Sequence, residues 1–386
     1  MHDDDIPHRR RCGLLVVIPG LLLGLLMSGC SAIERHHEAL LVLGDLAAGE
    51  GPSRLKARTP TPNRERLAYV VEERRYVADL YHPPASHRGT LILVHGLTEA
   101  GRHDPRLMAF AQTLARAGFT VLVPELDGLR HFSVGTREVQ GIADAIRHAS
   151  AELPMARQGP ALAAISFATG PALLAAMQPD TAHRVRFVIA VGGYYDLTDL
   201  LRYATTGEDR GGVGLQAPPP HRDVRWVMLR SQLHHLEDAD DRARLDAIAR
   251  RRLAGDEASD HGVAEMGPQG KALYELVTNR DPARVTSLIE ALPSSLLDQF
   301  NALDLTARDL GSLKARLVLV HGPDDRVIPI SHSRRLRDAL PSHQAQLFEA
   351  EGLGHVEVSS NWRDGWTLWR AIHHVLKLGE DKGTSR

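Results

Sequence analysis

Short apolar segments alternate with amphipathic segments from about residue 66 to residue 377 of the chain. Eight of the apolar segments have the length and the flanking turn residues of buried strands; they span residues 67–71, 76–81, 90–94, 120–123, 161–165, 186–191, 316–320 and 344–349. Helical patterns lie between them at residues 105–117, 136–151, 167–177, 332–340 and 362–376. Strands that alternate with helices predict an α/β fold, with a mostly parallel eight-stranded sheet and helices on both of its faces. The first two strands are separated by a few charged residues and are predicted to form a hairpin.

The alternation is interrupted between residues 196 and 313. This interval contains a Gly- and Pro-rich loop at residues 207–220 and then two long, strongly charged helical patterns at residues 226–253 and 271–300. We therefore predict a helical insertion at residues 196–313, after the sixth strand. It divides the sheet domain into a first part at residues 66–195 and a second part at residues 314–378, which a short tail at residues 379–386 follows.

The N-terminal segment has the pattern of an export signal. Three arginines at residues 9–11 precede an apolar run over residues 13–27. The run is shorter than the roughly 20 residues that a membrane-spanning helix needs, and Pro19 and Gly20 interrupt it. A cleaved signal peptide at residues 1–29 is therefore favoured over a permanent transmembrane anchor.

The end of this segment resembles the lipobox of bacterial lipoproteins. Residues 28–29 are small and precede Cys30, although Met27 stands where the motif usually has Leu, Val or Ile. The resemblance implies a lipid on Cys30, and Ser31 resembles the residue of lipoproteins that are sorted to the outer membrane. We expect residues 30–65 of the exported chain to form a short amphipathic helix, at 33–48, and a Pro-rich extended tether.

Composition excludes several classes of protein. The chain has 386 residues, of which 43% are hydrophobic, so it can bury a large core. Its formal net charge is -2 with both signs interspersed, which leaves no extended basic face for nucleic acid. It has two cysteines, both within the first 30 residues, and this excludes a disulfide framework.

A candidate nucleophile lies between a predicted strand and a predicted helix. The apolar strand at residues 161–165 is followed at once by Ser166, and a helix opens after it. The residues two before and two after, Ala164 and Ala168, are small enough for the strand and the helix to approach closely. This resembles the nucleophile elbow of the α/β-hydrolase superfamily, with alanine in place of both glycines of the usual Gly-x-Ser-x-Gly pattern. The alternative is that Ser166 merely caps the helix.

A candidate acid and a candidate base follow later in the chain, each after a predicted strand. The seventh strand leads into His321 and then into two adjacent acids, Asp324 and Asp325. This resembles the acid-bearing loop of the superfamily, where the acid comes four residues after the histidine, and it selects Asp325 with Asp324 as the alternative. His355 ends a Gly-rich loop after the last strand. The chain has 21 histidines, but this one completes the order Ser, Asp, His that the fold requires.

The resemblance implies a mechanism. His355 would take the proton of Ser166 as the hydroxyl attacks a carbonyl, and Asp325 would orient the imidazole. The oxyanion would be held by the backbone N–H groups of Phe167, just after the nucleophile, and of Leu97, in a loop after the third strand that resembles the oxyanion loop of the superfamily. The insertion would be the cap that shapes the substrate pocket.

We expect no cofactor and no metal. The pairs of adjacent histidines, at residues 36–37, 234–235 and 373–374, point to different faces of a helix and have no third ligand at a useful spacing. The predicted function is a serine hydrolase, first of all a carboxylic ester hydrolase with a small-molecule ester-like substrate. Two alternatives remain open: an acyltransferase that uses the same triad, and a non-catalytic, membrane-anchored binding protein. The oligomeric state is open as well.

Overall fold

The computed structural model describes residues 17–380 apart from residues 86, 155–157, 212–216, 257–260, 352 and 356–361, and for residues 17–32 and 362–364 it describes the backbone alone. Most of the expected signal peptide, the side chain of Cys30 and residues 381–386 of the expected tail therefore lie outside the described residues. In this described part of the chain, no helix combines the length and the apolarity needed to cross a membrane.

In the described residues eight strands form a single sheet, and each corresponds to one of the eight predicted segments. The strands are β1 (Asn63–Val71), β2 (Arg74–His82), β3 (Gly89–Val94), β4 (Phe119–Pro124), β5 (Ala161–Ile165), β6 (Phe187–Val191), β7 (Arg316–His321) and β8 (Ala345–Glu349). Their order across the sheet is β1-β2-β4-β3-β5-β6-β7-β8. β2 is antiparallel to both of its neighbours, and the other pairs are parallel. The prediction of a mostly parallel sheet is confirmed.

The first two strands form the predicted hairpin. Val71 pairs with Arg74, so Glu72 and Glu73 make a two-residue turn. Both have positive φ values, 47° and 70°. This backbone conformation matches the twist of an antiparallel pair.

The helices of the described residues occupy the predicted intervals and add several more. They are α1 (Val17–Ala48), α2 (Arg54–Arg58), α3 (Pro105–Arg116), α4 (Asp127–Arg130), α5 (Thr136–Glu152), α6 (Thr169–Ala176), α7 (Leu197–Thr206), α8 (Val224–Gln232), α9 (Ala239–Leu253), α10 (Pro268–Thr278), α11 (Val285–Glu290), α12 (Ser294–Leu303), α13 (Ile330–Asp338) and α14 (Trp362–Glu380).

Helices cover both faces of the sheet. Ile92 and Val94 of β3 contribute to a core that also contains the apolar sides of α5 and α6. Leu91 and Leu93 of the same strand point the other way, into a core with α1, α3 and α14. This two-residue alternation between two buried faces explains why β3 is apolar throughout.

The insertion differs from the two long helices that the charge pattern predicted. The pattern at 226–253 is divided by a 3-10 turn at Leu233–His235, and Asp238 then caps α9 by accepting from the N–H of Asp240. The pattern at 271–300 is divided before α11 and before α12, in each case next to a proline, Pro282 or Pro293. Proline lacks the N–H that a helix interior needs, so these two breaks were readable from the sequence.

The helices of the insertion have a core of their own, with Trp226, Leu245 and Leu273 among its buried members. α7 lies in the predicted insertion but was not itself predicted as a helix.

The segment before the sheet is more structured than the predicted tether. α1 includes the predicted helix at 33–48, α2 follows with Ser53 as its N-cap, and β1 already begins at Asn63. Lys56 on α2 forms an ion pair with the buried Asp45 on α1, at 2.9 Å. Arg116 on α3 donates to the carbonyl oxygens of Thr59, at 2.6 Å, and Pro60, at 2.8 Å. The prediction of an extended tether is therefore wrong for α2 and for the start of β1, because α2 packs on α1 and the residues after it are bound to α3.

Candidate active site

Ser166 lies at a sharp turn between β5 and α6. Its φ of 59° is a left-handed conformation that costs a residue with a side chain about 1–2 kcal/mol. A 3-10 turn at Ser166–Ala168 leads into α6. Ala164 and Ala168 are both fully buried, which agrees with the small size that the close approach of strand and helix requires. Strained backbone of this kind lifts a hydroxyl above the end of the sheet.

Three side chains that are far apart in the sequence meet at this turn. Ser166 Oγ lies 2.5 Å from His355 Nε2, and His355 Nδ1 lies 2.8 Å from Asp325 Oδ2. Asp325 is completely buried, whereas the neighbouring Asp324 is exposed, and it is Asp325 that contacts the imidazole. The arrangement has the geometry of a nucleophile, a general base and an orienting acid.

Asp325 is held as a carboxylate. Burial by itself raises the pKa of this carboxyl group, but hydrogen bonds from His321 and His355 outweigh burial and bring the pKa well below its usual range. The other oxygen, Oδ1, accepts from the backbone N–H groups of Val327 at 2.8 Å and Ile328 at 3.0 Å. An ionised Asp325 requires the proton of His355 to be on Nδ1, which leaves the lone pair of Nε2 directed at Ser166.

His321 is a second histidine on the same carboxylate, and it was not among the residues predicted for the site. It is fully buried, and its Nε2 lies 3.2 Å from Asp325 Oδ2 and 2.8 Å from the carbonyl oxygen of Ile328. Both of these are acceptors, so Nε2 carries the proton. Its Nδ1 lies 2.7 Å from the hydroxyl of Ser333. The signal that could have found it is its place four residues before the acid, at the end of a buried strand.

Two glycines allow the loops of the site to approach each other. A Cβ on Gly322 would lie 1.6 Å from the carbonyl oxygen of Leu353, in the loop that carries His355. Gly192, at the end of β6, has a φ of 60°, which a residue with a side chain rarely adopts, and a Cβ there would lie 3.0 Å from the carbonyl oxygen of His355. The acid and the base can come together because neither position carries a side chain.

The residues predicted for the oxyanion hole flank Ser166. Phe167 is the second residue of the 3-10 turn that Ser166 begins. Leu97 follows Gly96, where a Cβ would lie 3.6 Å from Ser166 Cβ. His95 is buried, burial lowers its pKa, and its Nδ1 lies 2.8 Å from the carbonyl oxygen of Gly96. The roles of the Phe167 and Leu97 N–H groups remain predictions.

An apolar pocket lies under the insertion, next to the nucleophile. It has a volume of about 70 Å³ and is lined by Phe167, Tyr194, Met228 and Phe300 among other apolar residues. Tyr194 is fully buried and donates to the carbonyl oxygen of Leu303 at 3.1 Å. Tyr194 follows β6, and residues of the insertion such as Met228 and Leu273 line the pocket on its other side.

The histidine pairs lie elsewhere and in different surroundings. His36 stacks on Trp369 and His373, and His234 Nε2 lies 2.9 Å from the hydroxyl of Ser133. Among the described residues, no group of three or more His, Cys, Asp or Glu side chains is placed to hold a metal ion.

Comparisons with solved structures bear on the fold. The sequence matches no model of a protein family and no curated protein. A putative hydrolase from Legionella pneumophila is similar with a TM-score of 0.53 and 11% identity, over 86% of this chain and 95% of that one. A Pyrococcus furiosus esterase is similar with a TM-score of 0.46 and 12% identity, over 82% of this chain and 91% of that one.

A larger protein also matches. An acylaminoacyl peptidase from Pyrococcus horikoshii is similar with a TM-score of 0.48 and 12% identity, over 83% of this chain and 42% of that one. The chain thus spans about two fifths of that peptidase's length. Together with the strand order, the likeness to the Legionella structure shows that this chain has the α/β-hydrolase fold, as the sequence predicted.

Proposed function

We propose that the protein is a serine hydrolase that cleaves carboxylic esters through an acyl-enzyme on Ser166. The observation that carries the proposal is the unbroken chain of hydrogen bonds from Ser166 through His355 to Asp325, which starts at a residue with a left-handed backbone. A helix-capping serine needs neither the strained φ nor a histidine at 2.5 Å. Strain of this kind persists where the position of the side chain matters for function.

The proposed reaction has two halves. In the first, His355 Nε2 takes the proton of Ser166 as Oγ attacks the ester carbonyl, and the imidazolium then protonates the leaving alkoxide. The N–H groups of Phe167 and Leu97 would stabilise the tetrahedral oxyanion, each by about 3 kcal/mol. In the second half, His355 takes a proton from water as the water attacks the acyl carbonyl, and the imidazolium then returns that proton to Ser166 Oγ as the acyl–Oγ bond breaks and the acid leaves.

The apolar pocket supports an acyl group as the part of the substrate that lies beside the nucleophile. It is lined mainly by aliphatic and aromatic side chains, and it reaches Phe167, the residue next to Ser166. Burial of each methylene group there would contribute about 0.8 kcal/mol to binding. A panel of p-nitrophenyl esters of graded acyl length would measure the preference.

An activity-based fluorophosphonate probe tests the nucleophile. We expect it to label the wild type and a Ser231→Ala variant, which changes another serine of the apolar pocket, but not a Ser166→Ala variant. A folded wild-type protein that is not labelled and hydrolyses none of the esters would contradict the proposal and favour the non-catalytic binding protein. An added alcohol acceptor that diverts most of the acyl group from water would instead favour the acyltransferase.

We also propose that the chain is exported and carries a lipid on Cys30, which would anchor it to the outer membrane facing the periplasm. The lipobox-like residues before Cys30 support this. α1 packs on the domain shortly afterwards, through an ion pair of Arg35 with Glu380. Metabolic labelling with an alkyne fatty acid should mark the wild type and a Cys12→Ala variant but not Cys30→Ala, and a label retained in Cys30→Ala would contradict the anchor.

A further inference from the structure

A second, larger cavity opens between the insertion and the loop that follows α4. Its volume is about 660 Å³, within the range of sites that bind small molecules. We call it the arginine cleft, because four arginines line it together with two acids: Arg130, Arg230, Arg242, Arg250, Glu99 and Asp246. No residue of the triad lines it.

The cleft has an excess of positive charge. The lining has four guanidinium groups and two carboxylates, and a single acid, Asp246, accepts from the Nε atoms of both Arg230, at 3.0 Å, and Arg250, at 2.6 Å. One more carboxylate, that of Glu125 outside the lining, lies 3.6 Å from Arg130 Nε, so the four cations are opposed by three acids. His234 adds no charge at neutral pH, since burial lowers its pKa to about 4. A concave surface with surplus charge of one sign concentrates ligands of the opposite sign.

The arginines are held in position by hydrogen bonds and still have N–H groups that can donate to a ligand. Arg130 donates through Nε to the carbonyl oxygen of Glu99 at 3.2 Å, and Arg242 donates through Nη1 to that of Glu237 at 3.0 Å. Within the described residues, the hydrogen bonds of each of the four guanidinium groups use one nitrogen. Arg230 Nη2 also lies 4.0 Å from Glu99 Oε1, and its guanidinium group lies over the ring of Phe132. The remaining N–H groups of an arginine that is already fixed can bind an anion with little loss of side-chain entropy.

The arginine cleft and the apolar pocket share a wall. Two pairs of consecutive residues separate the cavities. Ser133 lines the cleft and Val134 the pocket, and Leu233 lines the cleft and Gln232 the pocket. The rim of the cleft includes Glu99, two residues after Leu97 in the loop that faces Ser166. One molecule bound at Ser166 could therefore place an apolar half on one side of this wall and a charged half on the other.

We propose that the arginine cleft binds an anionic group, a carboxylate or a phosphate, on the alcohol half of the ester substrate, while the acyl half occupies the apolar pocket. The proposal rests on ester hydrolysis at Ser166. Paired guanidinium groups suit such anions because their N–H groups match two oxygens at once. The substrate class is then an ester of an apolar acid with an anionic alcohol or phenol.

The test compares three butanoate esters, those of 4-hydroxybenzoate, of its methyl ester, and of 4-hydroxyphenyl phosphate, with each kcat/KM divided by the rate constant of alkaline hydrolysis of the same ester. We expect the wild type to hydrolyse at least one charged ester with a kcat/KM about tenfold above that of the neutral one, as one charge-assisted hydrogen bond permits. Arg230→Gln and Arg242→Gln should each remove most of this preference, measured as the ratio of kcat/KM for the charged ester to that for the neutral one. The preferred charged ester identifies the anion.

A matched control lies on the same insertion. Arg222 is paired with Asp223 at 3.4 Å outside the cleft, and Arg222→Gln should alter neither class of ester. Arg230→Lys, which keeps the charge, should retain part of the preference if Arg230→Gln folds poorly. Added salt should reduce kcat/KM for the charged ester alone.

Two failures are distinguishable. Equal hydrolysis of all three esters, with variants that affect them alike, would overturn the cleft proposal and leave ester hydrolysis standing. If no ester is hydrolysed, the proposed function fails, and calorimetry with 4-hydroxybenzoate and inorganic phosphate on the Ser166→Ala protein still tests the cleft. Binding that Arg230→Gln weakens about tenfold would support it, and no binding of either anion would refute it.

Discussion

Replacement of His321 by alanine tests whether the buried network behind the triad matters for catalysis. The imidazole donates through Nε2 to both Asp325 and the carbonyl oxygen of Ile328, and it contacts Ser333 through Nδ1. His321→Ala removes all three contacts at a fully buried position. The Oδ1 of Asp325 keeps its two backbone donors, so the carboxylate stays in place but loses a partner on the oxygen that orients His355.

The magnitudes differ for stability and for catalysis. The two hydrogen bonds to neutral groups contribute about 1 kcal/mol each, and the one to the charged Asp325 contributes about 1.5 kcal/mol. The free energy of unfolding should therefore fall by about 3–4 kcal/mol. The part that affects catalysis is the bond to Asp325, and its loss corresponds to about a tenfold decrease in kcat. KM should change less than twofold, because a fully buried residue does not touch the substrate.

The assay is steady-state hydrolysis of a p-nitrophenyl ester, together with urea denaturation. Ser333→Ala is the matched control, since it removes a hydrogen bond to the same imidazole without affecting Asp325. It should lower the free energy of unfolding by about 1 kcal/mol and leave kcat within twofold. His321→Gln, which can still donate from a similar position, should recover part of the kcat that His321→Ala loses. The reasoning would be refuted if Ser333→Ala lowered kcat as much as His321→Ala, or if folded His321→Ala kept full kcat.

Four further changes have definite expected outcomes. The free energy of unfolding, measured in urea, should be about 1 kcal/mol higher for Ser166→Gly than for Ser166→Ala, because glycine adopts the left-handed φ without strain. Equal free energies would contradict a strained backbone at Ser166. Gly322→Ala should lower both kcat and the melting temperature, since its Cβ would displace the carbonyl of Leu353 and with it the His355 loop, and unchanged kcat would refute this. The pKa of Asp325 is lower in the folded chain than in the unfolded one, so the stability it contributes is present above about pH 4 and is lost as the pH falls. Between about pH 5 and about pH 3, the free energy of unfolding should therefore fall by about 1 kcal/mol less in Asp325→Asn than in the wild type. Urea denaturation at both pH values measures this difference, and an equal fall in both proteins would contradict it. Phe300→Ala should enlarge the apolar pocket and raise the kcat/KM ratio of hexanoate to butanoate esters up to about fourfold per methylene, and an unchanged ratio would place the acyl group elsewhere.

Local patterns were sufficient for the sheet and for the elbow. The eight apolar segments and their flanking turn residues predicted every strand of the described residues. β3 and β4 are apolar along their whole length because they are buried on both faces, whereas β1 is largely exposed and was predicted over its apolar second half alone. The elbow was also local: a strand end, Ser166 and two small neighbours lie within a few residues of one another. In the insertion, the charge pattern predicted helices that are too long, because Pro282 and Pro293 interrupt the helical pattern at residues 271–300.

Relations between distant residues required the packed structure. Sequence order left Asp324 and Asp325 as alternatives, because two adjacent residues have almost the same place in the sequence and differ in where their side chains point. The folded loop buries Asp325 against His355. The contact of His321 with that acid depends on the distance between ring and carboxylate after the loop turns back.

The two cavities likewise arise from how the insertion packs over the sheet, where residues from several separate helices line the same space. Periodicity determines which face of an element is apolar, because that depends on neighbours along the chain. Which faces meet, and what remains between them, depends on neighbours in space.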